Sequence, residues 1–419
     1  MEIQVEHITR VEGHGDIVAS LQDGKVKEAI LRVVEANRFF EGFLRGRSWE
    51  EVNHLASRIC GICAISHSTA SLQATEQALG VELSEQAQLL RRLTMDAEVI
   101  SSHALHIYFL AAPDFLGLQS VMPLVKDDPE TVKRAFRLKR TGYDLAEVVV
   151  GRHTHPVSAV PGGFTSTPTP WALEKMRERL VGLRGDLAAT VDLYRSVKIP
   201  RFERATEYLC LRRPDQYTFC GGEIASSEGM SIPARQYQEA LKEWVVPHSN
   251  AKHARWHRES CFVGALARVN NNWQQLRGEA QEAMEALGLR PPCYNPFMNT
   301  VAQVVELVHC VEDSITLIDE ILDLPLEDNW EPSVAPRAGR GVGVVEAPRG
   351  LLIHDYTYDE RGRCTRANCV IPTNQNLANL DADMRAFLPQ LADRPKEEIQ
   401  LHLEMLVRAY DPCISCSVH

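Results

Sequence analysis

Over the first 34 residues apolar and polar side chains alternate, through Ile3 to Ile8, Gly15 to Leu21 and Lys25 to Val34. A two-residue period puts every second side chain on one face, so three half-buried strands are predicted. Asp23-Gly24 is the hairpin-type turn between the second and third. Past Arg38 the spacing lengthens: Phe39, Phe40, Phe43 and Leu44 recur at three and four residues, an apolar helical stripe with Glu41 beside it. From Ser84, whose hydroxyl suits an N-cap, Leu90, Leu93, Ala97, Ile100, Ala104 and Ile107 keep the helical rule for about seven turns. Two more long helices are predicted, from Asp128-Pro129 to Val150 and from Thr169-Pro170 towards Val197. Each opens on a cap residue followed by proline, whose fixed φ and missing N–H suit the first helical position.

Residues 202–294 show no dominant period. Helical spacing returns at Ala302 to Leu322. Short runs at Gly341 to Glu346, Leu351 to Tyr356 and Cys369 to Ile371 predict strands, with Arg361-Gly362 in a turn, and helices at Leu377 to Leu391 and Lys396 to Tyr410 lead into the last nine residues, Asp411 to His419. No internal repeat, low-complexity tract or long Gly/Ser linker marks a boundary. Residues 1–419 are therefore read as one α+β domain, predominantly α: a large helix-rich core, a long helical bundle, with small antiparallel sheets.

Composition narrows the function. With 44% hydrophobic residues the chain can bury a large core, and a net charge of -11 argues against nucleic acid as a partner. Eleven cysteines, an odd number, and the lack of an Arg-rich or apolar leader argue against a disulfide framework and for the cytoplasm. No run of 18 apolar residues predicts a membrane span.

The chemistry that stands out is two Cys-x-x-Cys pairs, Cys60 with Cys63 and Cys413 with Cys416. Either pair alone reads equally as a redox dithiol. Together they supply four thiolates, a set suited to zinc, an iron-sulfur cluster or a thiophilic transition metal, and spacing does not choose among these. A structural zinc site usually draws on nearby knuckles to nucleate a small fold, which a chain with ample core does not need.

The segments Arg58-Ile59-Cys60-Gly61-Ile62-Cys63-Ala64-Ile65-Ser66-His67 and Asp411-Pro412-Cys413-Ile414-Ser415-Cys416-Ser417-Val418-His419 resemble the two metal-binding signatures of the nickel-iron hydrogenase large subunit. Further matching segments are Arg10 to His14, Arg38 to Arg47, Gly264 to Asn270, Glu346 to Gly350 and Ile371 to Thr373, so the resemblance spans the chain. It implies that Cys60 and Cys413 are terminal nickel ligands. Cys63 and Cys416 would bridge to an iron carrying carbon monoxide and cyanide, and His67 would donate to a bridging sulfur. Arg349 becomes the cation beside the metals, oriented by Asp114 and Asp411, where in isolation it reads as half of a buried ion pair. Pro348, Leu352 and Thr373 match positions around the diatomic ligands, Thr373 through its hydroxyl. Glu12 matches the first proton relay, set against Cys413. Glu41, His419 and the carbonyl of Cys369 match ligands of magnesium or a similar cation. The side chains of Cys210, Cys220, Cys261, Cys293, Cys310, Cys364 and Cys369 read as plain buried thiols.

The implied function is the catalytic subunit of a hydrogenase, which cleaves H2 reversibly and heterolytically to protons and electrons. The proton goes to Cys413 or Arg349 and leaves through Glu12. Electrons pass to an iron-sulfur small subunit and on, through diaphorase or other electron-transfer subunits, to a soluble acceptor such as NAD(P), a deazaflavin or a disulfide reductase. The short length, Pro372 to Asn376 and Cys413-Ile414-Ser415-Cys416 look like the cytoplasmic, multisubunit, cofactor-coupled type (group 3). Family members lose a C-terminal extension to a maturation protease after the terminal histidine, so ending at His419 reads as the mature form. The alternatives are a non-catalytic scaffold subunit of a respiratory complex and a zinc or redox-dithiol protein.

Overall fold

The computed structural model describes residues 2–326 and 334–419. Its scaffold begins with two helices, Glu85–Leu105 and Met298–Leu322, on which almost every side chain is buried, polar ones included. Burial on all sides makes them core helices rather than amphipathic surface ones. Ser84 caps the first as predicted, its Oγ accepting from Ala87 N. That helix runs about six turns rather than seven. It then widens into a π-helical turn, His106–Ala111, just before Pro113 withholds a backbone donor. Helix Pro129–Val150, capped by the Asp128 carboxylate, packs closely along it; a Cβ at Gly142 would lie 2.7 Å from the Ala97 carbonyl oxygen.

The helix predicted from Thr169 to Val197 is two helices, Pro170–Gly182 and Arg184–Ser196. Gly182 and Gly185 flank the joint, where helical backbone is weakest. The stripe after Arg38 is also corrected. It forms only the short helix Phe40–Leu44, in which Leu44 is buried while Phe39 and Phe43 are 67% and 56% exposed.

The N-terminal strands Glu2–Val5, Gly15–Gln22 and Lys25–Val33 form an antiparallel meander. Asp23 and Gly24 both take positive φ, 50° and 72°, which matches the right-handed twist of the hairpin. A second meander, Gly339–Ala347, Gly350–Tyr358 and Cys364–Val370, is longer than predicted. Its first two strands are buried on nearly every residue, so the alternation that marks strands in sequence is missing there.

Helix Ala64–Leu79 lies directly on this second sheet. Gly339, Gly341 and Gly343 leave no room for a side chain: a Cβ would stand 2.2, 1.9 and 1.9 Å from the carbonyl oxygens of Ala78, Ala74 and Ala70. Two strand residues advance about 6.7 Å and four helix residues about 6 Å, so the glycine and alanine ladders run in step. This contact fixes two neighbouring ends, the helix start that follows Cys63 and the turn through Pro348 and Arg349 that follows the strand.

Residues 202–294 resolve into a four-stranded sheet, in the order Cys261–Phe262, Glu207–Arg212, Glu223–Ser226, Ser231–Pro233. Beside it are a ribbon, Lys242–Trp244 with His253–Arg255, and helices Ala265–Asn272 and Gly278–Ala286. Helices Pro372–Phe387, Lys396–Ala409 and Ile414–Ser417 complete the chain. The α+β, mainly helical class holds, and no described helix is long and apolar enough to cross a membrane.

Candidate metal centre

Cys60 ends the short turn Ser57–Ile59, and Cys63 is the N-cap of helix Ala64–Leu79. Cys413 and Cys416 bracket the final turn of helix. The two loops are clamped together by Arg38, whose Nη2 donates to the carbonyls of Ile59, at 2.7 Å, and of Ser415. Its backbone N–H donates to Val418 O at 2.7 Å, and Ile414 N donates to Glu12 O at 3.0 Å, so the last residues are held like an interior strand.

The four sulfurs lie within 4.8 Å of one another. Cys60 and Cys413 are 3.5 Å apart, Cys63 and Cys416 3.5 Å, and Cys413 and Cys416 2.7 Å. All are buried and none is in a disulfide. Sulfurs bound at about 2.3 Å to one tetrahedral ion sit about 3.8 Å apart; the two 3.5 Å pairs are close to that spacing, and Cys413 and Cys416 would have to part to reach it. Burial pushes the Cys413 and Cys416 thiols well above their ordinary range. Gathering four thiolates in so dry a place therefore requires a cation, and soft sulfur donors select a thiophilic transition metal.

Arg349 is buried beside this cage, with Nη2 donating to Asp411 Oδ1 at 3.0 Å and Nη1 to Ser102 Oγ at 3.3 Å. Burial opposes its charge, but Asp411 and then the sulfurs of Cys413, Cys63 and Cys60 more than offset this. Gln303 Nε2 holds the other Asp411 oxygen at 3.0 Å. Asp114 does not orient Arg349, contrary to expectation. Its carboxylate accepts from Arg408 Nε and Nη2 at 2.6 and 3.0 Å and from Arg10. Set just beyond the π-helical turn, it pairs with two guanidiniums, one near the N-terminus and one on the last long helix, and Glu404 supplies Arg408 with a second acid.

Glu12 stands at the chain end as expected, its backbone paired with Cys413. Its carboxylate, however, accepts from Ser415 N at 3.1 Å and from Ser415 Oγ rather than from the Cys413 sulfur. His67 Nδ1 pairs with His354 Nε2 at 3.0 Å, and His354 Nδ1 with Tyr356 Oη at 2.5 Å. Burial holds His67 down to about 4, so it is neutral. Thr373 Oγ1 accepts from Cys413 N at 2.9 Å. Leu352 is buried on the strand face that carries His354, and Pro348 adjoins Arg349 in the turn.

Of the predicted hard-cation ligands, Glu41 and His419 meet, while Cys369 reaches Glu41 through its N–H. His419 Nε2 lies 3.4 Å from Glu41 Oε1, and Cys369 N donates to the same oxygen at 2.9 Å. Against burial, His419 and the Cys369 N–H hold Glu41 below the usual carboxylate range. Lys252 Nζ lies 3.9 Å from both Glu41 and Glu243.

Sequence reasoning gave no role to Arg268, yet it supports the Arg349 turn. Fully buried, it donates to Glu306 at 2.6 and 2.7 Å, to Glu346 at 2.9 Å, and to the carbonyls of Ala347 and Pro348 at 2.9 and 3.0 Å. Glu306 also meets His103 at 2.7 Å and Tyr217 at 2.5 Å. Glu98 was missed too: it accepts from Ile65 N at 2.7 Å, Ser66 N at 3.0 Å and Ser66 Oγ, anchoring the first turn of the Cys63 helix. The signal available was a charged residue inside a largely apolar helical run, Arg268 between Ala267 and Val269 and Glu98 between Ala97 and Val99.

Residues 38–147 and 226–419 match the family model described as nickel-dependent hydrogenase, and residues 2–36 match one described as HoxL-like. The whole chain is 36% identical to sulfhydrogenase 1 subunit alpha of Pyrococcus furiosus, covering 98% of that protein. It is 34% identical to sulfhydrogenase 2 subunit alpha of the same organism, again over 100% of this chain and covering 99% of that protein. Its backbone matches an NAD+-reducing NiFe-hydrogenase solved in the H2-reduced state with a TM-score of 0.89 at 28% identity, covering 100% of this chain and 99% of that one.

Proposed function

The chain belongs to the nickel-dependent hydrogenase family, and on that premise we propose how its residues divide the work of a hydrogenase catalytic subunit. The observation that carries the reading is the buried cage of four free sulfurs with a charged guanidinium beside it. A scaffold without chemistry needs neither, and a redox dithiol needs one pair. Cys60, Cys63, Cys413 and Cys416 would hold the nickel-iron centre, Cys60 and Cys413 on nickel alone and Cys63 and Cys416 shared with iron. When bound, the centre supplies the reversible heterolytic cleavage of H2 to protons and electrons.

Arg349 contributes a fixed positive charge facing the sulfurs, held in place by Asp411. Because it stays protonated, the proton is taken by the Cys413 sulfur and handed to Glu12. The Glu12 carboxylate is half-buried and held at Ser415, two residues on from Cys413, so it would have to turn from Ser415 to take that proton. Thr373 Oγ1 accepts from Cys413 N, which would leave its O–H to donate to a diatomic ligand. Pro348 and Leu352, matched with it by the family resemblance, would line the space around carbon monoxide and cyanide on iron. His67, neutral in its chain with His354 and Tyr356, orients the bridging side of the cage.

Glu41, His419 and the Cys369 carbonyl would hold magnesium or a similar hard cation, a reading supported by the approach of His419 to Glu41. The remaining cysteines form no further cluster among the described residues, so electrons leave through an iron-sulfur small subunit. Diaphorase or similar subunits then pass them to NAD(P), a deazaflavin or a disulfide reductase in the cytoplasm. The likeness to an NAD+-reducing hydrogenase supports this subgroup. A maturation protease acts on the precursor.

Metal analysis with infrared spectroscopy on the purified complex is the test. Nickel and iron together with carbon monoxide and cyanide stretching bands are expected; zinc alone, or no such bands, overturns the reading.

A further inference from the structure

Outside the cysteine cage, the described residues bring together one other set of metal-type ligands: His248, His253 and Asp381, with ligand atoms within 4.8 Å of one another. They come from separate parts of the chain. His253 opens the second strand of the ribbon, His248 lies in the connection between its strands, and Asp381 projects from helix Pro372–Phe387. His253 is 4% exposed. Its Nε2 and that of His248 are both buried without a hydrogen-bond partner. The rings meet edge to face, centroids 5.5 Å apart. His248 Nε2 is 3.8 Å from Asp381 Oδ2, beyond hydrogen-bond range. The other oxygen, Oδ1, is held by Leu31 N at 2.9 Å. The group lies on the wall of a cavity of about 830 Å³, which water can enter.

We propose that His248, His253 and Asp381 form a second metal site, independent of the cysteine cage, for a borderline divalent ion such as zinc. Two imidazole nitrogens and one carboxylate oxygen are a zinc donor set, and the open side faces the cavity, where a water completes the coordination. Nitrogen donors disfavour magnesium and calcium, and the absence of sulfur separates this site from the nickel ligands. One ion would satisfy both stranded Nε2 atoms, which otherwise stay buried and unpaired. Only a neutral imidazole can bind, and burial supplies that form: His253 is pushed down to about 4, and His248 is lowered too. Ligands around zinc sit about 3.4 Å apart, so side-chain rotations of about an ångström close the set. The Leu31 N–H fixes the carboxylate orientation, as partners of metal-bound groups do. The bound ion would join the ribbon to the helix that begins at Pro372.

The test titrates zinc ions into the intact hydrogenase complex after mild chelation, counting zinc, nickel and iron per chain and recording zinc X-ray absorption. His248→Gln and Asp381→Asn are the variants; the asparagine can still accept from Leu31 N. One zinc per chain with only nitrogen and oxygen neighbours is expected. Each variant should bind it roughly tenfold or more weakly with nickel and iron unchanged. No zinc uptake, sulfur in the zinc shell, or variants that bind as tightly as the parent would overturn the proposal. The parent's absorption spectrum decides the matter even where a variant misfolds.

Discussion

Replacing Gly343 by alanine tests whether the glycine ladder sets the position of the metal cage. The new Cβ would lie 1.9 Å from Ala70 O, 2.8 Å from Ala74 N and 2.9 Å from Ala70 C. Ordinary contact begins at 3.4 Å, so helix and strand must part by 3.4 − 1.9 = 1.5 Å along that line. All three neighbours are backbone, and no side chain can swing aside. Overpacking a core that can adjust costs about 1–3 kcal/mol, and this site belongs at the upper end, about 3 kcal/mol. The displaced helix begins at Cys63, and misplacing a reacting group by about 1 Å can cost on the order of a hundredfold in rate. Thermal unfolding, nickel per chain and H2 oxidation should all be measured on the purified complex. A lower midpoint, substoichiometric nickel and at least roughly tenfold less activity are expected. Gly182→Ala is the control: nothing lies within 4 Å of its Cβ, so it should be neutral or stabilise by about 0.5–1 kcal/mol. A Gly343→Ala protein with the parent's midpoint and full nickel would refute the reasoning.

Arg349→Lys should keep both metals but lose H2 oxidation by about a hundredfold, because a lysine cannot reproduce the guanidinium fork on Asp411 and Ser102; an unchanged rate would return Arg349 to a structural role. Glu12→Gln should retain nickel and iron yet lose most hydrogen/deuterium exchange with solvent, and full exchange would remove it from the proton path. Asp114→Asn should destabilise by about 3 kcal/mol, since it leaves the buried Arg408 short of its charge partner, with activity per nickel intact; lost activity at unchanged stability would tie Asp114 to Arg349 instead. Burial raises Glu98 to about 8, so the unfolded chain releases this proton at lower pH than the folded one. Its contribution is therefore full below about pH 4.5 and falls as pH rises to 8, by up to about 5 kcal/mol. Glu98→Gln should flatten the stability-versus-pH slope across that window, and an unchanged slope would contradict the assignment.

What could be read in the sequence was local. Asp23-Gly24, Ser84 and Asp128 each act on neighbours within a few residues, and each performs the turn or cap expected. The four cysteines were legible because two close pairs suffice to define a ligand set. Asp114 was not: its partners Arg10 and Arg408 lie 104 and 294 residues away, and only the fold decides which guanidinium it meets. The Arg268, Glu306 and Glu346 network escaped for the same reason, each charge looking like an isolated exception in an apolar run. The strands from Gly339 to Val370 were underestimated because burial on both faces erases alternation. Phe39 and Phe43 misled in the opposite sense, since spacing alone cannot tell a covered stripe from an exposed one.

The facing sulfurs of Cys60 and Cys413 are separated by 353 residues. An ion gripped by both is then a staple across a loop of nearly the full contour of the chain. By the chain-entropy model such a staple withdraws about 6 kcal/mol of freedom from the unfolded polymer. Stripping the metal would silence the chemistry and also return that freedom, so the apo chain should fray first where its two ends meet.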